Sequence, residues 1–235
     1  MGDRASRAQA TLLLDRMPQR RRLRALEILK PLGDDVFNPL DKTNLAESVS
    51  DHLLKRPIVP LPPARFQGAG IYAIYYAGDF SAYQIIAETV KAKDKVAIPI
   101  YVGKAVPPGS RKGGYGLGAD PGDVLFRRLC EHAASTKAAP NLNLSDFSCR
   151  YLLVDDIWIP LGEALLIERF KPVWNICVDG FGHHDQGGTR RGQAKSAWDT
   201  LHSGRAWAKD VQRAHACSVE EITRQVIAHL EANSN

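Results

Sequence analysis

Residues 70–76 read Gly-Ile-Tyr-Ala-Ile-Tyr-Tyr and residues 101–103 read Tyr-Val-Gly. Aromatic and β-branched residues bounded by glycine suit a pleated, buried surface, so 70–76 is expected as a strand. A second strand is expected over 98–102, with Ile98, Ile100 and Val102 on one face and Tyr101 on the other. A third fits 147–154, stopped by Asp155 and Asp156. Around these, Asp123 is placed to cap a helix running to about Ala134. A further helix fits Leu161 to Phe170, with Pro160 tolerable at its start and Pro172 as its stop. Residues 81–95 read as helical or irregular, and 219–230 as a C-terminal helix. The expected fold is α/β of the α+β kind: a small central antiparallel three-stranded sheet flanked by helices, with N- and C-terminal extensions.

Outward from these strands the chain changes character. Pro57, Pro60, Pro62 and Pro63 each fix their own φ and bias the preceding residue away from helix, so an extended linker is expected there. Before it, residues 1–30 mix leucines with many arginines and read as one or two short helices, interrupted at Pro18, forming a basic arm. Residues 107–123 are rich in glycine and hold Arg111 and Lys112, which suits a loop touching nucleic acid. The organisation expected is a helical, basic arm and Pro-rich linker over 1–63, a catalytic domain over 64–208 and a C-terminal helical extension over 209–235.

Composition narrows the class. With 44% hydrophobic and 24% charged residues the chain resembles an ordinary globular protein and not a disordered one. Its aliphatic runs fall well short of the roughly 18 to 20 residues that span a bilayer, so no membrane segment is expected. Thirty-one Lys+Arg against 26 Asp+Glu give a net charge of +5, which suits a polyanionic partner without requiring one. Cys130, Cys149, Cys177 and Cys217 form no Cys-X-X-Cys pair and read as free thiols of a cytoplasmic protein.

The two triplets decide the function. Gly70-Ile71-Tyr72 and Tyr101-Val102-Gly103, followed by Arg128 on one helix and Glu163 on a later one, resemble the GIY-YIG nuclease superfamily. Arg128 and His132 lie four apart and share a helix face. Glu163 has Leu166, Ile167 and Phe170 at its i+3, i+4 and i+7 positions, an apolar face on which a carboxylate needs a partner. The resemblance extends over residues 64–208, through 65–70, 99–106, 146–150, 171–182 and 194–207. These segments look like the small branch of restriction enzymes that cut CCGCGG, where an asparagine follows the glutamate helix; Asn175 occupies that place. Three departures stand out: Val102 replaces an isoleucine, the triplets are widely spaced, and no separate DNA-binding module follows. The wide spacing argues against homing and repair enzymes.

The resemblance implies Mg²⁺-dependent hydrolysis of double-stranded DNA that leaves 5′-phosphate and 3′-hydroxyl ends. Tyr72 would contact the attacking water. A tyrosine pKa of about 10 means that it needs help. Lys104 and His132 are the candidates for that help, and the sequence leaves open whether Tyr72, Lys104 or His132 finally takes the proton. Tyr101 would orient the water and Arg128 clamp the phosphate. Glu163, with Asn175 nearby, would hold one Mg²⁺, for which Mn²⁺ could substitute. Arg111, Lys112, Arg190, Arg191, Lys195 and Arg205 are the candidate DNA-binding residues, reading guanine edges or holding phosphates. A palindromic target implies a homodimer or a tetramer.

Each residue also has a plain structural use. Tyr72 and Tyr101 could pack a sheet, Arg128, His132 and Lys104 could lie on solvated surfaces, and Asn175 could cap a turn. Two other functions remain open: a structure-specific or repair nuclease of the same superfamily, and an inert nucleic-acid-binding module.

Overall fold

The computed structural model describes residues 41–92, 96–107, 120–183 and 193–233. The basic arm expected over 1–30, most of the glycine-rich loop, and Arg111, Lys112, Arg190 and Arg191 lie outside them. Among the described residues no helix is long and apolar enough to cross a membrane.

In chain order the main elements are helix α1 (Lys42–Leu54), strand β1 (Val59–Pro60), strand β2 (Gly70–Tyr76) and helix α2 (Gln84–Lys91). Strand β3 (Tyr101–Ala105), helix α3 (Val124–Ala138), strand β4 (Phe147–Leu153) and helix α4 (Ile159–Phe170) follow. Helices α5 (Val173–Ile176), α6 (Ala197–Leu201) and α7 (Val219–Ala232) come last among the described residues. The strands form one antiparallel sheet in the order β1-β4-β2-β3.

This sheet has four strands where three were expected. The extra one comes from the proline-rich linker, where Val59 and Pro60 pair with Cys149 and Ser148 of β4. A proline lacks the N–H that a central strand must donate, but an edge strand tolerates it. The second strand also starts later than expected, at Tyr101. Pro99 cannot donate to a ladder, and Ile100 instead bonds Ile74 through its N–H (2.8 Å) and Trp174 through its carbonyl (3.0 Å). Ile100 and Val102 consequently pack into different clusters and not on one face.

Strand β2 is buried along its whole length, and its two-residue period sorts side chains to two cores. Ile71, Ala73 and Tyr75 join Leu53 of α1 and Leu166 of α4 on one face. Tyr72, Ile74 and Tyr76 join Leu129 of α3, Trp174, Phe181 and Trp198 on the other. Helix α7 adds Ile222, Val226 and Leu230 to that second cluster, and a capping box between Ser218 and Glu221 satisfies its first amides. At α3 the expected cap differs: Asp123 makes no side-chain bond to the helix amides, because its carboxylate pairs with Arg127 at 2.8 Å and Arg65 at 3.1 Å.

Candidate active site

Strand β3 is the sheet's edge, and the candidate residues wrap around it. On one face stand the two triplet tyrosines. The register sets Tyr72 opposite Gly103, and a Cβ at Gly103 would collide with the Tyr72 hydroxyl, so the phenol requires a glycine beneath it. The ring is fully buried, and its hydroxyl lies 2.6 Å from Nε2 of His132 on α3. One proton is shared across that contact. With Nε2 bare the phenol donates to the ring; with Nε2 protonated the ring donates to the oxygen. The Tyr101 ring sits 6.2 Å from that of Tyr72 and 5.2 Å from that of His132.

Burial pushes the Tyr72 phenol well above the usual tyrosine pKa. The neighbouring Tyr101 and Glu163 raise it further, while Arg128 pulls against them by charge and hydrogen bonding. Tyr101 is raised too, again chiefly by burial, with Arg128 opposing and Glu163 adding to the rise. Arg128 is thus a cation that favours a phenolate at this site; the sequence named Lys104 and His132 for that part. Its Nη2 donates to the Gly182 carbonyl at 2.6 Å and its Nη1 to Glu131 at 3.0 Å, with the side chain 15% exposed.

On the other face of β3, Lys104 and Glu163 meet. Lys104 shares the face of Val102, α4 lies against it, and Nζ approaches Glu163 Oε2 at 2.7 Å. The carboxylate on the apolar side of α4 therefore has the partner it needed, and at 21% exposure it still faces solvent. Among the described residues no group of three or more His, Cys, Asp or Glu side chains is gathered to hold a metal. The Glu163 carboxylate supplies oxygen donors that fit a hard ion keeping most of its ligands as water or phosphate oxygen.

Asn175 lies at the same edge but spends its amide on the backbone. Val102 pairs with Ala73 in the ladder and turns its own N–H and C=O outward. Asn175 Oδ1 accepts that N–H at 2.8 Å and Nδ2 donates to that carbonyl at 2.9 Å, as another strand would. Both polar atoms of its side chain bond the Tyr101-bearing strand.

Of the expected DNA-binding residues, Lys195 is half-buried; its N–H bonds the Arg213 carbonyl at 2.8 Å, and it lines a cleft with Asp179, His183 and Trp207. Arg205 departs from the expectation. It is 4% exposed, pairs with Asp199 at 2.7 Å and packs against Trp198 and Trp207, so its guanidinium is held inside the protein.

Two contributors escaped the sequence reading. Phe181 lies flat on the His132 ring, centroids 4.4 Å apart and planes 19° apart, and nothing local marks it. Glu131, three residues after Arg128 on one helix, does carry a legible signal in its spacing.

A family model described as "Eco29kI GIY-YIG domain" matches residues 64–230. No curated protein matches the chain.

Proposed function

Because the chain belongs to the Eco29kI GIY-YIG family of restriction endonucleases and is thus a DNA-cutting nuclease, we propose that it cleaves a short GC-rich palindrome, CCGCGG, in duplex DNA with one divalent metal. The observation that carries this reading is the contact between Tyr72 and His132 beneath Arg128. It offers a proton acceptor and a phosphate clamp in one place, which binding alone would not require.

Hydrolysis needs an activated water, neutralisation of charge on the phosphate and help for the leaving oxygen. Tyr72 is fully buried, with Tyr101 and Arg128 as neighbours, and there we place the scissile phosphate. Arg128 exchanges the Gly182 carbonyl and Glu131 for phosphate oxygens, which its planar fork fits better than an ammonium could. Tyr72 takes the water's proton as its own moves to His132 Nε2, so no free phenolate needs to persist in a buried site. This assigns the final proton to His132. Glu163 would hold one Mg²⁺, or Mn²⁺ in its place, supplying positive charge at the leaving 3′ oxygen. Lys104 orients that carboxylate. Two copies of the chain, each contributing one site, would suit a palindrome.

The test is incubation of the protein with long duplex DNA and Mg²⁺, with an EDTA control, followed by sequencing of the fragment ends. Discrete fragments ending within one GC-rich palindrome support the reading. Smearing would favour a non-specific or structure-specific nuclease, and binding without cutting an inert module.

A further inference from the structure

Arg205 has five N–H donors, and each has an acceptor. Nε bonds Asp199 Oδ1 at 2.7 Å. Nη1 bonds the carbonyls of Phe181 and His183, both at 3.3 Å, and Nη2 bonds the Gly180 carbonyl at 3.0 Å and Asp199 Oδ2 at 2.7 Å. A buried guanidinium engaged with a single turn in this way fixes that turn's shape, and lysine, with three donors on a point charge, could not reproduce it. Asp199 is itself held, 5% exposed and bonded by Ser196 Oγ at 2.7 Å.

Arg205 takes the carbonyls of residues 180, 181 and 183. The carbonyl between them, on Gly182, is the one that accepts from Arg128 at 2.6 Å. The same turn presents Phe181, whose ring lies on His132 and meets Tyr101 edge-on at 5.0 Å. Gly182 passes so close to Tyr101 that an added Cβ would stand 2.6 Å from the phenol oxygen and 3.4 Å from Arg128 Nη2. One side of the turn is therefore bonded to Arg205, and the other touches Arg128, His132 and Tyr101. The two arginines also line one cleft with His132 and Trp207.

We infer that Arg205, anchored by Asp199, is a positioning residue for catalysis: through the 180–183 turn it sets the resting place of Arg128 and the plane of His132. The inference rests on the nuclease reading above. Reactions that depend on an aligned base and clamp lose about 100-fold for a displacement on the order of 1 Å. The effect of Arg205 belongs in the rate of the chemical step and not in DNA affinity.

Two variants test this, Arg205→Lys from inside the turn and Gly182→Ala from the site side, the second leaving every Arg205 bond in place. Each is compared with the wild type under single-turnover conditions in Mg²⁺ for the cleavage rate constant, its amplitude, its pH profile and DNA affinity. Loss of folded protein lowers the amplitude, whereas a misplaced site lowers the rate constant of the molecules that do cut. The expected result is a rate constant down about 100-fold in both variants, a displaced pH profile for Arg205→Lys, and DNA affinity within about threefold. If Arg205→Lys does not fold, Gly182→Ala decides alone. A wild-type rate constant in Gly182→Ala, or a fall confined to amplitude in Arg205→Lys, overturns the inference while leaving a cutting wild type as a nuclease. A wild type that cuts no DNA removes the nuclease reading and this inference with it.

Discussion

Replacing His202 by glutamine removes one buried imidazole, and its consequence for stability can be worked out. His202 is fully buried among Phe80, Tyr83, Asn141, Trp174 and Trp198, all neutral. Its bonds fix the neutral tautomer. Nδ1 faces Asn141 Oδ1 at 3.0 Å and so carries the proton, while Nε2 accepts from the Tyr83 hydroxyl at 2.7 Å. Tyr83 in turn accepts from Trp174 Nε1 at 2.8 Å. Burial pushes the imidazole down from 6.5 to about 3. Between those values the unfolded chain carries a proton that the folded one does not, so folding weakens as pH falls through the window. Each pH unit costs about 1.4 kcal/mol, and acidification from about pH 7.5 to about pH 5 removes about 2 kcal/mol at this residue. Urea unfolding at both pH values measures it. Whatever stability His202→Gln has at neutral pH, its loss on acidification should be about 2 kcal/mol smaller than that of the wild type. Equal losses in the two proteins would refute the reasoning, since the ring would then bind its proton equally in both states.

Glu163→Ala should abolish cleavage in Mg²⁺ and leave DNA affinity equal or higher, because a carboxylate near the phosphate is gone; undiminished cleavage would take Glu163 out of the chemistry. Asn175→Ala orphans the outward N–H and C=O of Val102 and should cost about 1–3 kcal/mol, read as a lower thermal midpoint. An unchanged midpoint would mean that water replaces the amide at the edge of β3.

What the sequence made legible follows from how local each signal is. Strand β2 was readable because Gly70 to Tyr76 is apolar at every position, as burial on both faces demands. The helix carrying Glu163 was readable from Pro160 and Pro172, and the one carrying Arg128 was placed from Asp123, although that side chain pairs with arginines instead of capping. The fourth strand was hidden by prolines that an edge position tolerates. Asn175 and Arg205 were named from the sequence, but the groups they bond were not. A sequence shows that an amide or a guanidinium is present, but the unpaired backbone of Val102 and the stacked carbonyls of 180–183 arise only once distant segments meet. The chain from Trp174 through Tyr83 to His202 is invisible for the same reason, since its members lie in three segments far apart in the chain.

The measurement closest to the central claim is the single-turnover cleavage rate of Tyr72→Phe in Mg²⁺ beside DNA affinity and thermal midpoint. The phenyl ring keeps its place in the core, and only the hydroxyl facing His132 Nε2 is lost. The account predicts a rate at least about 100-fold lower with affinity and fold retained. Cleavage at the wild-type rate would contradict it, because a phosphodiester would then be cut without the oxygen through which the proton is said to pass.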